Sequence, residues 1–171
     1  AGANAFLSKP IFESMLYNVL LSATGIDKTV RFQLSQMEIK HPELEGRCIL
    51  LAEDNLLNQE IAVELLRMSG IEVECACNGK EAVDKFLMEP LKYDAILMDV
   101  QMPLMNGYQA TELIRRAECP RSATIPIIAM TADAFHEDMV KAAASGMNAH
   151  MAKPIDPEQL YHLLKEKILK E

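Results

Sequence analysis

From Arg47 onward, short apolar runs alternate with longer segments whose apolar residues recur at helical spacing. RCILLAED (47–54) reads as a buried strand that ends in acids. NLLNQEIAVELLRMSG (55–70) follows with Leu56, Ile61, Leu65 and Met68 at helical intervals, and it stops at Gly70, a residue suited to closing a helix. IEVECAC (71–77) alternates as a strand, and Asn78-Gly79 turns the chain into the helix KEAVDKFLME (80–89). After Pro90 the cycle repeats: YDAILMD (93–99), TIPIIAMT (124–131) and MNAHMAK (147–153) as strands, NGYQATELIRRAE (106–118), AFHEDMVKAAASG (134–146) and DPEQLYHLLKEKILK (156–170) as helices. Asp156 is the expected cap of the last helix, with Pro157 at its first position. Five strand–helix units with such apolar strands predict an α/β fold in which a parallel sheet is covered on both faces.

The phrase GMNAHMAKPI (146–155) of the fifth unit is written once before, as GANAFLSKPI (2–11), with six of ten positions identical. The helix expected next, IFESMLYNVLL (11–21), places Phe12, Met15, Leu16, Val19 and Leu20 on one face. Residues 1–21 therefore read as the strand–helix tail of a preceding copy. Residues 22–45 lack a sustained period and read as a linker containing at most a short helix or strand, and residues 46–171 form the complete domain. A chain of 171 residues has no room for two full domains of this kind.

Composition narrows the function classes. Half the residues are apolar and a quarter charged, the profile of a globular protein with a core. A net charge of −8 without a basic run argues against a nucleic-acid partner. No apolar stretch approaches the ~18 residues of a membrane span, and no signal peptide is legible, so no direct membrane contact is expected. Cys48, Cys75, Cys77 and Cys119 lack metal-ligand spacing and read as small buried thiols of a reducing cytoplasm, while His41, His136 and His162 read as surface residues. Met98, Met102 and Met105 are expected to fill gaps in the core.

In a doubly wound sheet, function collects where the strands end. Here strand one ends in Glu53-Asp54, strand three in Asp99, strand four in Thr131 and strand five in Lys153. With strand order 2-1-3-4-5, these groups share one rim. Carboxylates that close repel one another unless a cation joins them, and a hard divalent ion, Mg²⁺ or Mn²⁺, meets that need while leaving room for a phosphoryl oxygen. Lys153 and Thr131 suit the same guest, so that one carboxylate can attack phosphorus.

On these residues the domain closely resembles the receiver domain of two-component response regulators. LAEDNLLNQ carries the family's acidic pair, LMDVQMPLMNG its phosphoacceptor, IIAMTADA its hydroxyl residue and HMAKPI its lysine-proline pair. The resemblance implies a flavodoxin-like doubly wound five-stranded parallel sheet of order 2-1-3-4-5. It implies that Asp99 takes a phosphoryl group from a phosphohistidine, that Asp54, Asp99 and the backbone carbonyl of Gln101 ligate Mg²⁺ or Mn²⁺ while Glu53 holds metal waters, and that Thr131 and Lys153 grip the phosphoryl oxygens. A cis Lys153-Pro154 bond is implied too. His150 departs from the family, which usually carries Tyr or Phe three residues before the lysine as a ring that swings with the threonine. It stands as either the switch partner of Thr131 or a half-exposed strand histidine without a signalling role.

The repeat, and the absence of a DNA-binding segment after the last helix, point to the second receiver of a hybrid sensor histidine kinase. The implied partners are that kinase's phosphohistidine domain and a histidine-phosphotransfer domain, met around the first helix and the end of strand five. The N-terminal helix is expected to dock on this receiver or to join two copies. The expected location is the cytoplasm, with an inner-membrane anchor of the parent left open. The parent would be a protein-histidine kinase, whereas this domain catalyses only its own phosphorylation and hydrolysis. A haloacid-dehalogenase-like phosphatase would need an acid at Gln101, a flavodoxin-like FMN carrier a Ser/Thr/Gly-rich loop at Asp54–Leu57, and a partner-binding pseudo-receiver a damaged acidic site.

Overall fold

The structure, a computed structural model, describes residues 41–132 and 136–169. The copy-remnant expected over 1–21 and most of the linker at 22–45 lie outside those residues. Among the described residues there are five strands: β1 (Cys48–Ala52), β2 (Glu72–Ala76), β3 (Ala95–Asp99), β4 (Ile127–Thr131) and β5 (Ala149–Ala152). Between and after them run α1 (Leu56–Met68), α2 (Gly79–Met88), α3 (Gly107–Arg116), α4 (His136–Ser145) and α5 (Pro157–Ile168). The strands form one parallel sheet in the order β2-β1-β3-β4-β5, as expected. The three inner strands are buried at every position, whereas β2 and β5, with a neighbour on one side only, are partly exposed. Continuous apolar runs such as CILLA and AILMD are what a strand covered on both faces requires.

Asparagine and aspartate define the helix starts. Asn55, Asn78, Asn106 and Asp156 each accept a hydrogen bond from a first-turn N–H, and Asn106 with Gln109 forms a reciprocal capping box. Gly70 takes φ +70° just past α1, and Pro157 opens α5.

The buried face of α1 differs from the expected one. Ala62, Leu65 and Leu66 pack inward, while Leu56 and Leu57 in the first turn and Ile61 are exposed. The cause is the centre of the stripe: with Ala62 and Leu66 facing inward beside Leu65, Ile61 falls at the margin of the buried face. Met98 and Met102 are core residues and Met105 packs against them, in line with a gap-filling role. All four cysteines are free, but only Cys48 is buried; Cys77, one residue past β2, is exposed.

Among the described residues ahead of β1 lies a 3₁₀ turn, Pro42–Leu44, at the end of the predicted linker. Leu44 is fully buried, the His41 ring sits 4.4 Å from the ring of Tyr161 on α5, and Glu43 pairs with Lys165. His41 is therefore a packed residue and not the surface one expected. Tyr161 in turn donates its hydroxyl to the Leu65 carbonyl at 2.5 Å, joining α5 to α1. Burial and the nearby Lys165 hold the His41 imidazole below its ordinary pKa.

Candidate functional site

Parallel pairing places the five expected residues on one rim. Ala52 lies opposite Met98, Asp99 opposite Met130, and Thr131 opposite Ala152, so the strand ends of β1, β3, β4 and β5 are level. The register continues past the last ladder residue, where the Lys153 N–H donates to the Thr131 carbonyl at 2.7 Å. Lys153-Pro154 is cis, as the resemblance implied.

Carboxylate oxygens of Glu53, Asp54 and Asp99 lie within 4.8 Å of one another. Glu53 and Asp99 are buried, at 2% and 4% exposure, and Asp54 is exposed. Lys153 Nζ stands 2.6 Å from Glu53 Oε2 and 2.6 Å from Asp99 Oδ2. The second contact is an aligned hydrogen bond. The first is an ion pair only, because Glu53 Oε2 is buried with no donor in hydrogen-bonding alignment. Asp99 Oδ1 accepts from the Gln101 N–H at 3.1 Å. Burial pushes the Asp99 carboxyl above the ordinary aspartate pKa, the Lys153 ammonium pulls it back, and the neighbouring Glu53 charge raises it again.

One ammonium thus serves two buried carboxylates with a third beside them. This donor set, together with a buried carboxylate oxygen lacking an aligned donor, fits a hard divalent cation. Thr131 is buried at the end of β4, and His150 is half-buried on β5 opposite Ala129.

Several supporting residues escaped the sequence reading. Glu53 Oε1 accepts from the Asn55 N–H at 3.3 Å and from Asn58 Nδ2 at 3.2 Å, and Gln59 Nε2 donates to the Glu53 carbonyl at 3.2 Å. The available signal was the spacing Asn55-x-x-Asn58-Gln59, which sets two side-chain amides in the first turn of the helix directly after the acidic pair. Gly107, in the first turn of the helix expected over 106–118, is another supporting residue. Any Cβ there would lie 2.3 Å from the Asp99 carbonyl oxygen, so the α3 start can lie against β3 only as glycine.

A parallel sheet of this order, with acids on its first and third strands, a hydroxyl on its fourth and a lysine on its fifth, defines a phosphoacceptor-type receiver architecture. Residues 49–165 match the response regulator receiver domain, and the chain belongs to that family. It is 37% identical over 169 residues to hybrid signal transduction histidine kinase I of Dictyostelium discoideum, a match covering 96% of this chain and 9% of that protein. The chain therefore spans about a tenth of that relative. Among solved structures it resembles the receiver domain of a sensor histidine kinase from Pseudomonas aeruginosa PAO1, described with a magnesium ion coordinated in the active site cleft. That match has 39% identity and a TM-score of 0.66, and it covers 73% of this chain and 99% of the other. It also resembles the receiver domain of the Saccharomyces cerevisiae response regulator Ssk1, crystallised with the histidine phosphotransfer protein Ypd1. Here the identity is 29% and the TM-score 0.65, with 74% of this chain and 91% of the other covered.

Proposed function

We propose that this domain is the phosphoacceptor of a two-component phosphorelay and that Asp99 is the residue phosphorylated. The carrying observation is Lys153 Nζ, 2.6 Å from both buried carboxylates on the rim they share with Asp54. An Asp99 carboxylate oxygen attacks the phosphorus of a phosphohistidine; the P–N bond breaks, its electron pair leaves with the imidazole, and an acyl phosphate remains. Lys153 and Thr131 hold the phosphoryl oxygens. Asp54, Asp99 and the Gln101 backbone carbonyl would ligate Mg²⁺ or Mn²⁺, with Glu53 holding metal-bound water. The ion's contribution when bound is to neutralise charge on the phosphoryl oxygens. Thr131 and His150 form the switch pair that responds to the new charge.

Incubation with Mg²⁺ and acetyl phosphate, followed by intact mass, tests the assignment. A single phosphoryl adduct is expected, absent without the divalent ion and absent in Asp99→Asn. An adduct that survives Asp99→Asn would overturn it.

The domain's partners are proposed as a kinase phosphohistidine domain and a histidine-phosphotransfer domain, and its parent as a hybrid histidine kinase in which residues 1–21 end a preceding receiver. Three observations support this: the kinship with a hybrid kinase, the Ypd1–Ssk1 complex formed by a similar receiver, and the repeated GxNAxxxKPI phrase. The exposed Leu56, Leu57 and Ile61 of α1, next to the acidic rim, supply an apolar surface for such a partner. No helix among the described residues is long and apolar enough to cross a membrane. A cytoplasmic setting suits the four free thiols.

A further inference from the structure

We infer that Asn58 is a positioning residue for the divalent-cation site, acting through the Glu53 carboxylate. Glu53 is buried at 2% exposure, so its carboxylate needs fixed partners. Oε1 receives two: the Asn55 N–H, a backbone group set by the start of α1, and Asn58 Nδ2 from one turn further on. A carboxylate offers only acceptor atoms, so the Asn58 amide nitrogen is the group that faces it. With Oε1 turned toward α1, Oε2 is the oxygen left on the side of Lys153 and Asp99. Oε2 is also the buried atom without an aligned donor. Asn58 therefore fixes which carboxylate oxygen serves the cation site. Gln59, whose amide reaches the Glu53 backbone carbonyl instead, holds the turn and not the carboxylate orientation.

Without the Asn58 amide, the carboxylate loses its only side-chain donor on Oε1 among the described residues and can rotate toward Lys153. The ammonium then competes with an added cation for both oxygens. Partners that orient metal-site groups are worth roughly 10–100-fold in metal affinity.

The inference rests on the proposed cation site, and calorimetric titration of the whole chain with Mg²⁺ and with Mn²⁺ separates the two. Asn58→Ala is expected to weaken binding by about tenfold. Asn58→Ser, which keeps a shorter donor, should recover part of that loss, and Gln59→Ala should bind as the wild type does. Thermal unfolding without divalent ion supplies the control for a merely structural role: the helix propensity of alanine offsets only part of the lost hydrogen bond, so Asn58→Ala should lower its apo midpoint modestly, whereas Arg115→Ala, whose guanidinium holds the opposite end of the sheet, should lower the midpoint at least as far and still bind the cation as the wild type does. Wild-type binding by Asn58→Ala, or a loss that tracks the apo midpoint across the variants, would overturn the role of Asn58 and leave the cation site standing. A wild-type chain that binds neither ion would overturn both.

Discussion

Gly107 lies so close to Asp99 that a Cβ at position 107 would stand 2.3 Å from the Asp99 carbonyl oxygen. The contact is with backbone, which cannot swing aside as a flexible side chain would, and the Gly107 N–H is itself committed to the Val100 carbonyl at 3.0 Å. Gly107→Ala should therefore displace the β3 end, destabilise the domain by about 1–3 kcal/mol and slow phosphorylation of Asp99. Urea unfolding and the rate of adduct formation from acetyl phosphate measure the two effects. Loss of stability with an unchanged rate would show that the strain relaxes into α3 instead.

Lys153 carries the charge balance of the rim. Lys153→Met leaves Glu53 and Asp99 buried without their shared cation, and the metal-free domain should lose about 3 kcal/mol. The same change removes the ammonium that competes with a divalent ion. The rise in melting temperature produced by saturating Mg²⁺ should consequently be larger in Lys153→Met than in the wild type.

His150 is half-buried on an edge strand, and no contact to the acids places it in the phosphoryl-transfer step. His150→Ala should leave the rate of Asp99 phosphorylation unchanged. If the ring is the switch partner of Thr131, binding of a histidine-phosphotransfer domain to the phosphorylated form should differ between His150→Ala and His150→Tyr. Equal binding by the two would return His150 to an ordinary strand residue.

A different acid governs the pH response of the sheet edge. Glu74 on β2 accepts from Lys92 and from the buried Tyr93 hydroxyl, both at 2.7 Å, and these hydrogen bonds hold its carboxyl below the ordinary glutamate pKa. A depressed folded-state value means that the stabilisation is present above the unfolded pKa and is lost as pH falls through the folded one. The stability gap between wild type and Glu74→Gln should be open at neutral pH and close in that acidic window. Thermal melts across the range would show it.

Arg115 ties α3 to the opposite end of the sheet. Its guanidinium donates to the carbonyls of Gly146, Ser122 and Ile125 and to Asn148 Oδ1, at 2.7–2.9 Å. Asn148 Oδ1 also accepts from the Ile127 N–H, which opens β4. Burial lowers the Arg115 pKa without threatening its charge. Arg115→Ala should cost about 2 kcal/mol or more, and Arg115→Lys should not restore it, since a single ammonium cannot reproduce the fork. Chemical denaturation of the two variants settles the comparison.

Glu53, Asp54, Asp99, Thr131 and Lys153 were legible in the sequence because each closes a strand whose apolar run is unmistakable, and parallel pairing aligns strand ends automatically. Helix faces were less legible. The α1 pattern admits two apolar stripes one residue apart, and the sheet selects the one through Ala62, Leu65 and Leu66, leaving Ile61 at its margin. The supporting groups were hidden for another reason. Arg115 meets Gly146 and Asn148 from 31 and 33 residues away and Glu74 meets Tyr93 from 19, and such pairings leave no periodic trace along the chain. Asn58 lies near enough to Glu53 to be found, but only once an orphaned carboxylate oxygen makes its orientation a question.

The turn at Pro42–Leu44 has a mechanical meaning. With Leu44 buried, His41 against Tyr161 and Glu43 on Lys165, the polypeptide entering the domain is fastened to α5 before it becomes β1. Tyr161 then passes the attachment to α1 through the Leu65 carbonyl. The segment that leads into β1 and the acidic rim therefore share their supports, for the helix that receives the Tyr161 hydroxyl at Leu65 is the one that carries Asn58.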